Sequence, residues 1–100
     1  MKFDKDTKIL IVGLGLIGGS YAEALSSGGY EVGAIDCNAD SIAFALEKGW
    51  ISSGRADTDG EYIVKFDLIV FALYPHIFID WIKQNQRFIR PGALLTDVTG

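Results

Sequence analysis

Four glycines fall within seven residues, Gly13, Gly15, Gly18 and Gly19, inside the stretch ILIVGLGLIGGS from Ile9 to Ser20. Glycine weakens a regular element, because it packs nothing and loses the most backbone freedom, so such a cluster marks backbone in an unusual conformation or in close approach to something else. Its flanks narrow the choice. Lys8 to Val12 is a short, β-branched, continuously apolar run, the pattern of a strand buried on both faces of a parallel sheet. Ile17 to Ser27 follows at helical spacing, with Ile17, Tyr21, Ala24 and Leu25 as the expected apolar stripe and Gly28-Gly29 as the stop. A strand, a glycine turn and a helix in immediate succession open a βαβ unit.

The rest of the chain repeats the alternation. Tyr30 to Ile35 reads as a second strand. Asn38 is a suitable N-cap for a helix carrying Ile42, Ala45 and Leu46 on one face and ending at Gly49. Trp50 to Ser53 reads as a short third strand, followed by the polar stretch SGRADTDGEY, a loop with room for one helical turn. Phe66 to Leu73 is the strongest strand signal. Pro75 opens a helix with a Phe78, Trp81, Ile82 stripe, and Ala93 to Val98 is the last strand after the Pro91-Gly92 turn. Strands separated by helices of this length require right-handed crossovers, so the expected fold is α/β, a Rossmann-type doubly wound parallel sheet of about five strands in the order 3-2-1-4-5. Residues 1–100 form one domain, with no repeat, linker or low-complexity segment.

In that frame Gly13, Gly15 and Gly18 form G-x-G-x-x-G between the first strand and the first helix. The three glycines are expected to act differently. Gly13 makes the tight turn, Gly15 lets a pyrophosphate reach the backbone, and Gly18 lets helix and strand pack closely. The free amides at the helix start complement the phosphate charge. An acid that binds the adenosine ribose is expected about 20 residues further on. Asp36 stands there, 21 positions after Gly15. The alternative reading as a phosphate loop of the G-x-x-x-x-G-K-[ST] kind, through Gly13, Gly18, Gly19 and Ser20, fails because Gly19 takes the place of the lysine that would meet the terminal phosphates.

Other residues carry less. His76 is the single histidine, and no partner for it as a general base can be identified, so no catalytic residue is assigned. Cys37 is read as a small, half-buried neighbour of the adenosine pocket rather than a reactive thiol. Asp57, Asp59 and Glu61 lack calcium-loop spacing and are expected as solvated loop charges, so no metal is assigned. Phe78 and Trp81 belong to a core stripe.

Composition excludes whole classes of function. The formal net charge of −4 and pI near 4.7 leave no basic surface for a nucleic acid. No apolar run approaches the roughly 20 residues of a membrane span. The charged start MKFDKDTK has no secretory apolar core, and the single cysteine permits no internal disulfide, so a reducing cytoplasm is the expected location.

KILIVGLGLIGGSYAEAL, then AID with Asp36, FDLIVFALYP and GALLTDVTG resemble the N-terminal nucleotide-binding domain of the prephenate dehydrogenase family, including its arogenate-using members in tyrosine biosynthesis. The resemblance covers nearly the whole chain. It implies oxidative decarboxylation, with hydride passing from the substrate ring to NAD as carbon dioxide leaves. It further implies that Gly13, Gly15, Leu16, Ile17 and Gly18 hold the pyrophosphate and that Asp36, beside Cys37, holds the adenosine ribose. Ala72, Leu73, Tyr74 and Pro75 would line the crevice, and the segment from Asp97 through Thr99 to Gly100 would approach the nicotinamide end.

Many members carry serine where this chain has Gly100, with a hydroxyl one place earlier at Thr99. The family's catalytic histidine, substrate-binding arginines and helical dimerisation domain have no counterpart before Gly100. The chain is therefore expected to be an isolated or truncated cofactor domain, inactive alone, whose parent enzyme is a homodimer acting on prephenate or arogenate. The alternative is a free-standing module that senses a dinucleotide. NAD is expected over NADP by about tenfold or more, since the Asp36 carboxylate repels a 2′-phosphate. Arg55, expected in the loop after the third strand, has no evident route to that phosphate.

Overall fold

The computed structural model describes residues 4–98. The strands are β1 (Lys8–Val12), β2 (Glu31–Ile35), β3 (Ser53–Arg55), β4 (Leu68–Phe71) and β5 (Leu94–Asp97). Four helices intervene: α1 (Leu16–Ser27), α2 (Ala39–Lys48), α3 (Gly60–Ile63) and α4 (Pro75–Asn85), the last followed by a 3-10 turn at Gln86–Phe88. All strand pairings are parallel and the sheet order is β3-β2-β1-β4-β5, as expected from the alternation. Among the described residues no helix is long and apolar enough to cross a membrane.

The continuously apolar β1 is explained by two cores, one on each sheet face. Ile9 and Ile11 point to the side holding Ala22 of α1 with Ile42 and Ala45 of α2. Leu10 and Val12 point to the other, where Tyr62, Ile63, Phe71 and Trp81 lie. A side-chain period of two puts alternate residues on opposite faces, so a strand buried on both must be apolar throughout. The expected α4 stripe is found there: Phe78 and Trp81 both meet the Phe71 ring edge-on, at centroid distances of 4.8 and 5.1 Å.

Three local expectations are corrected. The buried side of α1 is Gly18, Gly19 and Ala22, whereas Ile17, Tyr21 and Ala24 face outward and only Leu25 of the expected stripe packs on the core. Glycines let this helix lie so close to the sheet that large side chains have no room beneath it. On α2, Ile42 and Ala45 are buried and Leu46 is exposed. The third strand is Ser53–Arg55 rather than Trp50 to Ser53, because its register is set by pairing Gly33 with Ser53 and Ile35 with Arg55 on β2. Trp50 instead packs beside α2, its ring edge-on to Phe44. The N-cap at Asn38 and the left-handed Gly49 that ends α2 are as expected: the Asn38 side chain accepts from the Asp40 amide at 2.9 Å.

Candidate functional site

Parallel order places the carboxyl ends of β1, β2 and β4 together, and the strand connections diverge at β1, where the chain runs first to one edge and then to the other. Ligands of open α/β sheets bind in the crevice at such a point. A cavity of about 530 Å³ lies there. One wall is Gly13, Gly15, Leu16, Ile17 and Gly18 with Asp36; the other is Ala72, Leu73, Tyr74 and Pro75. Ten of the residues singled out by motif or resemblance thus come together in one place. Ile77 completes the second wall and is a residue that sequence reasoning misses. A signal for it exists: it is an apolar residue in the first turn of α4, off the Phe78–Trp81 stripe.

The turn geometry separates the glycines. Gly13 has φ +99°, and a Cβ on it would lie 2.6 Å from the Ala72 carbonyl oxygen. A Cβ on Gly18 would overlap the Gly13 carbonyl oxygen outright. Gly15 meets nothing within 4 Å, so its missing side chain leaves open space in the crevice. Gly15 is also the N-cap of α1, where no side chain caps the helix and no acid occupies the first turn. The first amides of a helix have no intrahelical acceptor and carry partial positive charge, so this end suits an anion.

Asp36 directly follows β2 and is half-buried. Its Oδ2 accepts from the Leu14 amide at 2.6 Å and its Oδ1 from the Asn38 amide at 2.8 Å. Cys37 is exposed rather than half-buried, and its side chain is not part of the crevice wall. Asp97 ends β5 opposite Phe71, exposed and outside the crevice lining. Thr99 and Gly100 lie outside the described residues.

Arg55 and Asp59 have structural roles. Arg55 is the last residue of β3, not part of the following loop, and its carbonyl accepts from the Asp36 amide at 3.2 Å. Its guanidinium turns the other way, 4.4 Å from the Tyr62 ring centroid and 3.8 Å from Asp59. Asp59 is the N-cap of α3, accepting from the Glu61 and Tyr62 amides, so it is not a free loop charge. His76 is exposed in the first turn of α4, its ring nearly parallel to that of Tyr74 at 6.5 Å. Tyr62 donates to or accepts from Ser53 Oγ at 2.7 Å, and burial pushes its phenol above the ordinary value.

No protein-family model matches the sequence, nor does any curated protein sequence. Solved structures do. An arogenate dehydrogenase from Synechocystis superposes with a TM-score of 0.85 at 24% identity, over 92% of this chain and 32% of that one. Prephenate dehydrogenase from Aquifex aeolicus, determined in complex with hydroxyphenyl propionate and NAD+, gives 0.80 at 28% identity over 96% of this chain and 34% of that one. A 3-hydroxyisobutyrate dehydrogenase from Mycobacterium tuberculosis gives 0.77 at 22% identity, over 92% of this chain and 31% of its own. This chain resembles arogenate and prephenate dehydrogenase structures over most of its length, and it spans about a third of theirs.

Proposed function

We propose that the chain is the NAD-binding domain of a dehydrogenase of the prephenate or arogenate type. The observation that carries the proposal is the pairing of an uncapped α1 N-terminus, opened by Gly15, with a carboxylate at the end of β2 on the same cavity wall. The residues fit the cofactor. The first-turn amides of α1 would hold the pyrophosphate, while Asp36, which retains free lone pairs beside its two amide donors, would accept from the adenosine ribose hydroxyls. Ala72 to Pro75 would cover the cofactor's other side and exclude water. Once bound, NAD supplies the hydride acceptor for an oxidative decarboxylation in tyrosine biosynthesis.

The assignment to this reaction class is supported by the two Aquifex prephenate dehydrogenase structures, at 28 and 29% identity. The substrate and a homodimeric assembly would belong to the whole enzyme.

Calorimetry tests the cofactor. The 100-residue chain should bind NAD, and Gly15→Val should weaken binding by about tenfold or more, because its side chain fills the space the pyrophosphate needs. Unchanged affinity in a folded Gly15→Val variant would contradict the assignment.

A further inference from the structure

Asp36 spends both of its oxygens on backbone amides before any ligand arrives. The Gly13 amide donates to the Ile35 carbonyl at 2.8 Å, and the next amide, Leu14, donates to Asp36 Oδ2 at 2.6 Å. The glycine turn is thereby fastened to the end of β2 by two successive bonds, the second of them to a carboxylate. The other oxygen holds the Asn38 amide at 2.8 Å, and Asn38 in turn caps α2. The Asp36 amide donates to the Arg55 carbonyl at 3.2 Å, which ties the same residue to β3.

We infer that Asp36 is a positioning residue for the phosphate turn, holding Leu14 so that the α1 amides are aimed before the dinucleotide binds, independently of any contact with the ribose. This rests on the reading of the crevice as a dinucleotide site. A hydrogen bond to an ionised acceptor is stronger than one between neutral groups. Leu14 lies between a glycine held at φ +99° and the open Gly15, so its neighbours offer no side chain to hold the turn, and only its own side chain packs against the core. Without the carboxylate, the Gly13–Ile35 bond and the packing of the Leu14 side chain still hold this stretch, but the Leu14 amide is no longer fastened, and the binding-competent turn becomes one of several conformations. Affinity then falls by the fraction of turns correctly formed, for any ligand that uses the α1 amides. A carboxylate offers about four acceptor directions, so the two amides and the ribose hydroxyls can be served together.

A ligand cycle separates the two roles. NAD is compared with an analogue whose adenosine ribose lacks both the 2′- and 3′-hydroxyls, in the unmodified chain and in Asp36→Ala and the near-isosteric Asp36→Asn. If the carboxylate acts only through the hydroxyls, the variants bind the analogue as the unmodified chain does, and the inference fails. If it also positions the turn, Asp36→Ala weakens the analogue by about tenfold, the loss expected from one charge-assisted hydrogen bond, and Asp36→Asn weakens it less. Amide hydrogen exchange in the ligand-free chain gives a readout needing neither ligand nor variant. Leu14 should be protected, and an unprotected Leu14 amide would overturn the inference even if both variants failed to fold. If the unmodified chain bound neither dinucleotide, the cofactor reading would fall while Leu14 protection still decided the positioning role.

Discussion

One added carbon at Gly18 would occupy the space of the Gly13 carbonyl oxygen, whereas the same carbon at Gly15 would meet nothing. These two glycines of one motif therefore predict opposite phenotypes. Gly18→Ala should destabilise the fold by about 1–3 kcal/mol, since helix and turn must part to admit the methyl group. Gly15→Val should cost about 1 kcal/mol or less in stability, the loss of a favourable residue at an exposed, extended N-cap, and lose ligand affinity instead. Urea denaturation of both variants checks the contrast; equal midpoints would remove the distinction. Cofactor choice belongs to this scale as well. The Asp36 carboxylate lines the crevice, Arg55 is turned toward Tyr62 and Asp59, and among the described residues no cation lines the cavity to meet a 2′-phosphate. NAD should be preferred to NADP by about tenfold, about 1.4 kcal/mol. The exposed Cys37 has room for a longer side chain, so Asp36→Ser with Cys37→Arg should narrow or reverse the ratio. Because serine also releases the Leu14 and Asn38 amides, NAD affinity should fall as the ratio moves. Competitive titration with both dinucleotides reads the two effects separately, and a ratio that stays fixed would contradict the electrostatic account.

At the scale of elements, legibility follows burial. β1 and β4 are readable because strands covered on both faces must be apolar throughout, and α2 because its cap and stop are local chemistry. The α1 stripe misleads for a physical reason. A helix that approaches a sheet through Gly18, Gly19 and Ala22 hides its contact face from any hydrophobic period and leaves Ile17 and Tyr21 outside. β3 is displaced from its expected place because Ser53-Gly54-Arg55 has no strand-like composition; it is held at the sheet edge by pairing with β2 and by the Ser53–Tyr62 hydroxyl contact. That contact joins β3 to α3 and yields an alkaline prediction. Burial raises the Tyr62 phenol above its ordinary 10.0, so the folded form favours the neutral group. Its stabilising contribution is complete below the unfolded value and is lost as pH rises through the folded one. Thermal stability should thus drop more steeply above about pH 10 in the unmodified chain than in Tyr62→Phe. Parallel melting curves between pH 8 and pH 11 would show otherwise.

For the whole molecule, topology decides which residues meet at the crevice. The 3-2-1-4-5 order is legible because strand and helix alternate with short connections, and it brings the turn after β1, the acid after β2 and the wall after β4 together from positions up to about sixty residues apart. The same order leaves the chain's arginines elsewhere. Arg90 is paired with Asp67, Arg87 lies over the Phe88 ring, and Arg55 lies over Tyr62. None of them lines the cavity, so a dicarboxylate substrate would find no guanidinium there. His76, the single histidine, sits exposed beside Tyr74 with no carboxylate among its described contacts to orient it. Positioning of substrate against cofactor supplies a large part of the rate of such a transfer, and among the described residues the crevice presents neither an anion clamp nor an oriented base. The 100-residue chain should therefore bind NAD yet form no NADH when mixed with prephenate or arogenate. Absorbance at the reduced-nicotinamide band, followed with each substrate at saturating NAD, measures this directly. Steady NADH formation by the pure chain, abolished by Gly15→Val, would mean that a catalytic group stands at the crevice among residues whose visible roles are packing and capping.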